Sequence, residues 1–184
     1  DNLSNPFTLV PELRPDRVRI SPERYEARGV EFDLRGDWEL LTGWLNFAYS
    51  SARDRLEERS VRRSWDQTRT LNAGIESRLG AWELSVSTSF HEGWLSTPLF
   101  FDGETVSAGE RNSERFDHYL TIDAKGIRRW QTRYGDVRLE IGVTNLSNRE
   151  NQIGTEQDLR DGVLESSAFY GLPRTLFADV YLSF

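Results

Sequence analysis

Two histidines, His91 and His118, are the only imidazoles in 184 residues, so metal or acid–base chemistry that needs an imidazole has to run through them. The segment HEGW at His91 lacks the second histidine that would put two zinc ligands on one helix face. Serines are numerous, but none lies in the Gly-x-Ser-x-Gly setting that strains a nucleophile onto a turn, and no glycine-rich phosphate loop occurs. The paired carboxylates Glu57-Glu58 fall inside DRLEERSVRR and read as a solvated charged loop. With no cysteine there is neither a disulfide framework nor a thiolate metal site. The residues therefore point to no catalytic group, no metal and no cofactor, and an enzyme is the least supported class. Nucleic acid is disfavoured too, because net charge is -7 and the cluster Arg59, Arg62, Arg63 is diluted by its two glutamates. What remains is recognition by aromatic side chains in long connectors, namely Trp94, Phe100, Phe101, Phe169 and Tyr170. Exposed rings of this kind stack on a sugar ring or a catecholate, and the acidic balance suits a cationic or metal-bearing ligand. The competing reading makes Trp94 and Tyr170 interfacial girdle residues and Phe100-Phe101 loop packing.

The elements that position these residues are extended strands. In the last stretch, GLPRTLFADVYLSF, the residues Leu176, Ala178, Val180, Leu182 and Phe184 fall on one side of a strand. Thr175, Phe177, Asp179, Tyr181 and Ser183 fall on the other. The same alternation sets Val30, Phe32 and Leu34 against Glu31, Asp33 and Arg35, and Leu41 to Tyr49 against Thr42 to Ser50. It recurs with Leu71, Ala73, Ile75 and Leu79 in Asp66 to Leu79, and with Trp82, Leu84, Val86, Thr88 and Phe90 in the strand that follows. A fifth strand from Arg115 to Ile127 carries Phe116, His118, Leu120, Ile122 and Ala124, and a sixth carries Val137, Leu139, Ile141 and Val143. Between them, residues 1–24 hold four of the six prolines and read as an irregular segment. Asp54 to Trp65 reads as a charged connector, in which DRLEERSVRR has the spacing for a turn or two of helix that would be marginal in water, Gly93 to Glu114 and Arg149 to Tyr170 predict long loops, and RRWQTRYGD predicts a short connection.

Seven strands joined alternately by short and long connectors predict an all-β, antiparallel, up-and-down transmembrane barrel segment. The strands, at about 10 to 14 residues, exceed the usual ~5 to 6 and match what a tilted bilayer crossing needs. No run approaches the ~18 apolar residues of a transmembrane helix, and mean hydropathy is -0.62, which a barrel tolerates because only alternate residues face lipid. Aromatics at 12% suit an interfacial girdle. Mixed charge on the second face needs water or another polar body against it. An odd strand count, with an eighth strand conceivable in residues 7–20, and the absence of any Met lead to the expectation that further strands precede this segment. The alternatives are a small autonomous outer-membrane barrel, structural or pore-forming, and an open soluble sheet.

Four pieces in order resemble the C-terminal barrel portion of TonB-dependent outer-membrane receptors. They are RYEARGVEFDLRGDW from Arg24, RFDHYLTIDAKGIRRW from Arg115, IGVTNLSNREN from Ile141 and the closing Pro-Arg strand. Asn145, Leu146 and Asn148 match the family's Val-x-Asn-Leu-x-Asn segment, and Pro173 and Arg174 match its last strand. Phe184, with Leu182, Val180 and Tyr181, is similar to the signal read by the barrel-assembly machinery. Asn151 departs from the pattern, which has an aromatic there. The resemblance implies a bacterial outer-membrane location and energised uptake of a scarce ligand such as an iron-siderophore complex. It implies barrel-wall contact with lipid and lipopolysaccharide, and coupling to TonB only through a plug and N-terminal box outside this sequence. On that reading the chain, its strands taken from residue 25 to 184, is about a third of a barrel of roughly 22 strands.

Overall fold

The computed structural model describes residues 24–56 and 59–184, and among these it contains strands and no helix. In chain order the strands are β1 (Arg24–Asp37), β2 (Leu41–Leu56), β3 (Arg59–Arg62), β4 (Arg69–Leu79) and β5 (Trp82–His91). Next come β6 (Leu95–Ser96), β7 (Leu99–Phe101), β8 (Val106–Ala108), β9 (Glu114–Arg115) and β10 (Tyr119–Thr132). The chain finishes with β11 (Gly135–Thr144), β12 (Gln152–Arg160), β13 (Val163–Tyr170) and β14 (Thr175–Ser183). Seven long strands form one antiparallel sheet in the order β1-β2-β4-β5-β10-β11-β14, with β3 paired to the far end of β2. Among the described residues the path is open, with β1 and β14 at its two edges.

Register fixes the faces. In an antiparallel ladder directly opposed residues point the same way, and Val143 opposes both Ala124 and Leu176, Ala124 opposes Val86, Val86 opposes Ile75, and on the same side Leu71 opposes Phe47 and Phe47 opposes Phe32. The apolar set read from each strand's alternation therefore lies on a single face of all seven strands. A slip of one residue anywhere would turn a whole strand's apolar set over.

Short connections lie at one end. Trp38 to Leu40 joins β1 to β2, Gly80-Ala81 joins β4 to β5, and Arg133-Tyr134 joins β10 to β11. Gly80 and Gly135 take φ of 61° and 136°, which only glycine adopts freely. Long connections lie at the other end, and here the sequence expectations need correction. The described residues of Asp54 to Trp65 are not an irregular charged connector: β2 continues to Leu56 and pairs with β3, and Arg63 N–H extends the ladder to Ala52 C=O at 3.1 Å. A helix that short has to pay nucleation for few internal bonds, whereas a hairpin growing from an existing strand does not. Arg149 to Tyr170 is not a structureless loop either, because β12 and β13 make an antiparallel ribbon about Asp161-Gly162, both at positive φ (49° and 76°). The fifth long strand starts at Tyr119 and runs on through Trp130 to Thr132, so Phe116 and His118 precede it. The Gly93 to Glu114 loop contains two small pairings, β6 with β9 and β7 with β8. The predicted irregular segment of residues 1–24 lies outside the described residues except for Arg24, which opens β1.

Among the described residues only two apolar side chains are fully buried, Ala52 and Leu95, at 7% and 5% exposure. A water-soluble chain of this length would bury a large apolar core, and among the described residues nothing covers the apolar face of the sheet.

Candidate functional site

The uncovered face is continuous from edge to edge. Val180, Ile141, Leu84, Ile75, Phe47 and Phe32 all belong to it, and they are between 37% and 63% exposed. Taking one half-exposed side chain of this kind out of water is worth ~1 kcal/mol. Summed over seven strands, that reaches the whole stability of a typical domain, about 5–15 kcal/mol. A contiguous apolar surface of this extent marks a partner or a membrane. In β4 and β5 it runs from Leu71 to Leu79 and from Phe90 to Trp82, the length a tilted bilayer-crossing strand requires.

At the short-turn end the face is edged with aromatics: Trp38, Trp82, Trp130, Tyr134 and the terminal Phe184. Trp38 lies over glycines, since a Cβ on Gly36 would come within 2.5 Å of its ring. Arg128 reaches between two of the indoles, 5.9 Å from the rings of Trp82 and of Trp130. Rings with a polar tip and an arginine laid along them suit a boundary between apolar and wet surroundings. Leu182 and Val180 sit on the apolar face with Phe184. Tyr181 is on the opposite face, under the Arg138 guanidinium at 5.1 Å.

Polar groups of the second face pair both across and along strands. Asn46 donates to Asp33 at 2.6 Å, Ser89 to Asn72 at 2.8 Å, and Lys125 and Arg138 meet Glu140 at 3.3 and 2.5 Å. Arg129 pairs with Glu83 on neighbouring strands. Two aromatic rings fill gaps over glycines on this face: Trp44 covers Gly74, and Phe177 covers Gly142. The ring replaces the missing side chain of its neighbour, which packs a pleat without adding charge.

The long-loop end is braced by side-chain amides. Asn145, fully buried with φ of 50°, receives Arg149 N–H on Oδ1 at 3.0 Å and donates through Nδ2 to the carbonyls of Arg149 and Leu172 at 2.8 and 3.1 Å. Its own N–H donates to Asp123 in β10 at 2.8 Å, and Leu146 N–H donates to Ile122 C=O at 2.7 Å. Asn148, also at positive φ, accepts Arg174 N–H at 2.9 Å, and Pro173 C=O accepts from Thr175. The residues that carry the family-like motif thus come together as the knot joining β10, β11 and β14. Asn151 extends the knot: it is 3% exposed, accepts Leu120 N–H and donates to Leu120 C=O, both at 2.9 Å, as an adjacent strand would. Sequence reasoning had no role for Asn151 or Asp123. The signal was a run of asparagines where a strand ends, since asparagine tolerates left-handed backbone and carries both a donor and an acceptor.

A second brace ties β2 to the connection between β3 and β4. Arg63 forks onto Asp54 through Nε and Nη2 at 2.9 and 2.7 Å, and buried Asp66 accepts Ala52 N–H at 2.8 Å. Burial alone would raise the Glu92 pKa, but hydrogen bonding and charge from Arg69, with Arg115 nearby, bring it below the usual carboxylate range. In the β7–β8 turn Asp102 is lowered by the backbone N–H groups of Thr105 and Glu104 and by the Thr105 hydroxyl.

The sequence-predicted loop aromatics divide. Trp94 is half-buried against His91, with ring centroids 5.2 Å apart. Phe101 is half-buried, while Phe100, Phe169 and Tyr170 are 57%, 57% and 47% exposed. The last two are on β13, which lies beside β7, the strand of Phe100 and Phe101, so two of the three long loops adjoin. His91 stacks on Tyr119 at 4.6 Å and His118 lies 5.7 Å from Phe90. Among the described residues no three His, Asp or Glu side chains are grouped to hold a metal. No family model, curated protein or solved structure matches this chain.

Proposed function

We propose that this chain is a wall segment of a bacterial outer-membrane β-barrel of the TonB-dependent receptor type, with the braced loops facing outward to meet a scarce ligand such as a metal chelate. The observation that carries the membrane reading is the single apolar face, uncovered on seven consecutive strands and edged by aromatics at the short-turn end. Short turns at one end and long, hairpin-bearing loops at the other fit the asymmetry of such barrels. The receptor type rests on the sequence resemblance, and the asparagine knot gives its motif a structural purpose at the base of the loops. The charged second face suits a watery lumen or a plug.

The chain's part is recognition and wall, with no reaction assigned to it. Phe100, Phe169 and Tyr170 are the exposed rings on adjoining loops and are the proposed contacts for a planar or ring-bearing ligand. The test is refolding of the 184-residue chain into phosphatidylcholine vesicles, then flotation and quenching of tryptophan fluorescence by lipids brominated near the headgroup. Trp82 and Trp130 at the edge of the apolar face give strong quenching on this reading. A chain that stays in the aqueous fraction as a folded monomer refutes it.

A further inference from the structure

The β12–β13 ribbon stands on the asparagine knot as a two-stranded sheet of its own, and two strands alone are marginal in water. The two-residue turn at Asp161-Gly162, with φ positive at both, makes Arg160 and Val163 a hydrogen-bonded pair, and bonded and open pairs alternate from there. Asp158 with Glu165 and Glu156 with Ser167 are therefore bonded within the ribbon, while Leu164, Ser166 and Ala168 turn their N–H and C=O groups away from β12. β13 is exposed along its length except at Leu164, whereas β12 is buried or half-buried at residues 152–155 and at Gln157. β13 lies beside β7, yet no ladder joins the two. Natural edges are commonly blunted with lysine or proline. Val163–Tyr170 holds neither, and its three residues with outward amides are uncharged, so the edge is a template for another strand.

Charge on the ribbon selects the kind of strand. Four carboxylates, Glu156, Asp158, Asp161 and Glu165, stand against the single cation Arg160. Asp158 and Glu165 are directly opposed and Glu156 lies on the same side, so like charges weigh on the ladder. Arg160 reaches Asp158 at 3.2 Å as an exposed pair of little worth, and among the described residues neither Glu156 nor Glu165 makes an ion pair. A cation set beside Glu165 by a third strand turns that repulsion into attraction. The other side of β13 presents Leu164, Ser166 and Ala168, apolar or small, which suits β-branched neighbours. We infer that the open edge of β13 is a docking site for an extended basic peptide, which adds as a third strand with its cationic side chains over Glu165, Asp158 and Glu156. Main-chain hydrogen bonds to Leu164, Ser166 and Ala168 supply the affinity, and the alternation of basic with β-branched residues supplies the selectivity. Docking of this kind stands apart from the membrane reading, because only β12, β13 and their turn take part.

The experiment titrates the full chain, refolded in uncharged detergent, into a fluorescein-labelled peptide of alternating lysine and valine, and reads fluorescence anisotropy. Saturable binding is expected. A peptide with the same lysines but proline in place of its central valines is expected to bind about tenfold more weakly, because it keeps the charge and cannot pair. Ser166→Pro removes an outward N–H without breaking a bond to β12, and about a tenfold loss is expected. Gln157→Pro makes the same change at an outward amide of β12 and is expected to keep most of the binding. Glu165→Gln with Asp158→Asn is expected to weaken binding roughly fivefold. No saturable binding, equal binding of the two peptides, or a loss in Gln157→Pro that matches the loss in Ser166→Pro overturns the inference. Pairing with a second copy would appear as peptide-independent dimerisation abolished by Ser166→Pro, and it overturns the inference as well. None of these results bears on whether the apolar face meets lipid.

Discussion

Val86 sits at the middle of the apolar stretch of β5, opposed by Ile75 and Ala124, and is 42% exposed. Its neighbour Ser87 points to the other face, opposed by Gly74 and Asp123. Val86→Lys and Ser87→Lys thus place the same charge one residue apart on opposite sides. If the apolar face meets lipid, Lys at position 86 costs about 2–4 kcal/mol at the bilayer midplane, a shift of roughly 30- to 1000-fold in the folding equilibrium. Ser87→Lys, beside the Asp123 carboxylate, changes it by less than about 1 kcal/mol. If the face meets water, Val86→Lys is an ordinary surface substitution within about 0.5 kcal/mol. Reversible denaturant unfolding from phosphatidylcholine vesicles, followed by tryptophan fluorescence, reads both variants. Equal small effects at 86 and 87 would refute the assignment of the faces.

Asn151→Leu keeps the side chain's size and orphans the N–H and C=O of Leu120; a loss of about 2–5 kcal/mol is expected in the same unfolding assay. Gly142→Val pushes a Cβ to 2.5 Å from the Phe177 ring and 2.7 Å from the Ala124 carbonyl, so destabilisation of about 1–3 kcal/mol is expected, partly relieved by Phe177→Ala as a second change. Glu92 is lowered from 4.5 in the folded chain, so the unfolded chain takes up the proton first. Its contribution is present above pH 4.5 and is lost as pH falls through the lower folded value. Glu92→Gln flattens that part of a stability–pH curve. Phe169→Ala with Tyr170→Ala leaves the circular dichroism of the sheet unchanged and weakens binding of a ferric catecholate chelate at least severalfold, as read by intrinsic fluorescence titration.

The faces of all seven long strands were legible because each strand alternates cleanly, and register is then forced by the need to keep one side apolar. The same logic explains what was not legible. β12 and β13 carry polar residues on both sides, Glu156, Asp158, Glu165 and Ser167 on one and Thr155, Gln157 and Ser166 on the other, so periodicity is silent there. The Asp161-Gly162 pair was a turn signal in plain view. The end of β10 was hidden by Arg128 and Arg129, charges that read as a connector until Arg128 is seen lying along Trp82 and Trp130. Helical spacing of charges in DRLEERSVRR competed with a strand pairing that only the tertiary ladder supplies. The asparagine knot was present as a motif, but its purpose depends on Asp123, Leu120 and Leu172, which the sequence scatters.

The most direct test of the two-faced membrane wall is a nitroxide scan of the vesicle-reconstituted chain, one label at a time from Leu84 to Ser89 in β5 and from Leu139 to Thr144 in β11. Accessibility would be measured to oxygen and to a water-soluble nickel chelate. Alternation with period two is expected, with Leu84, Val86, Thr88, Leu139, Ile141 and Val143 favouring oxygen and their neighbours favouring nickel. Nickel access on both faces, or a period other than two, would contradict the account.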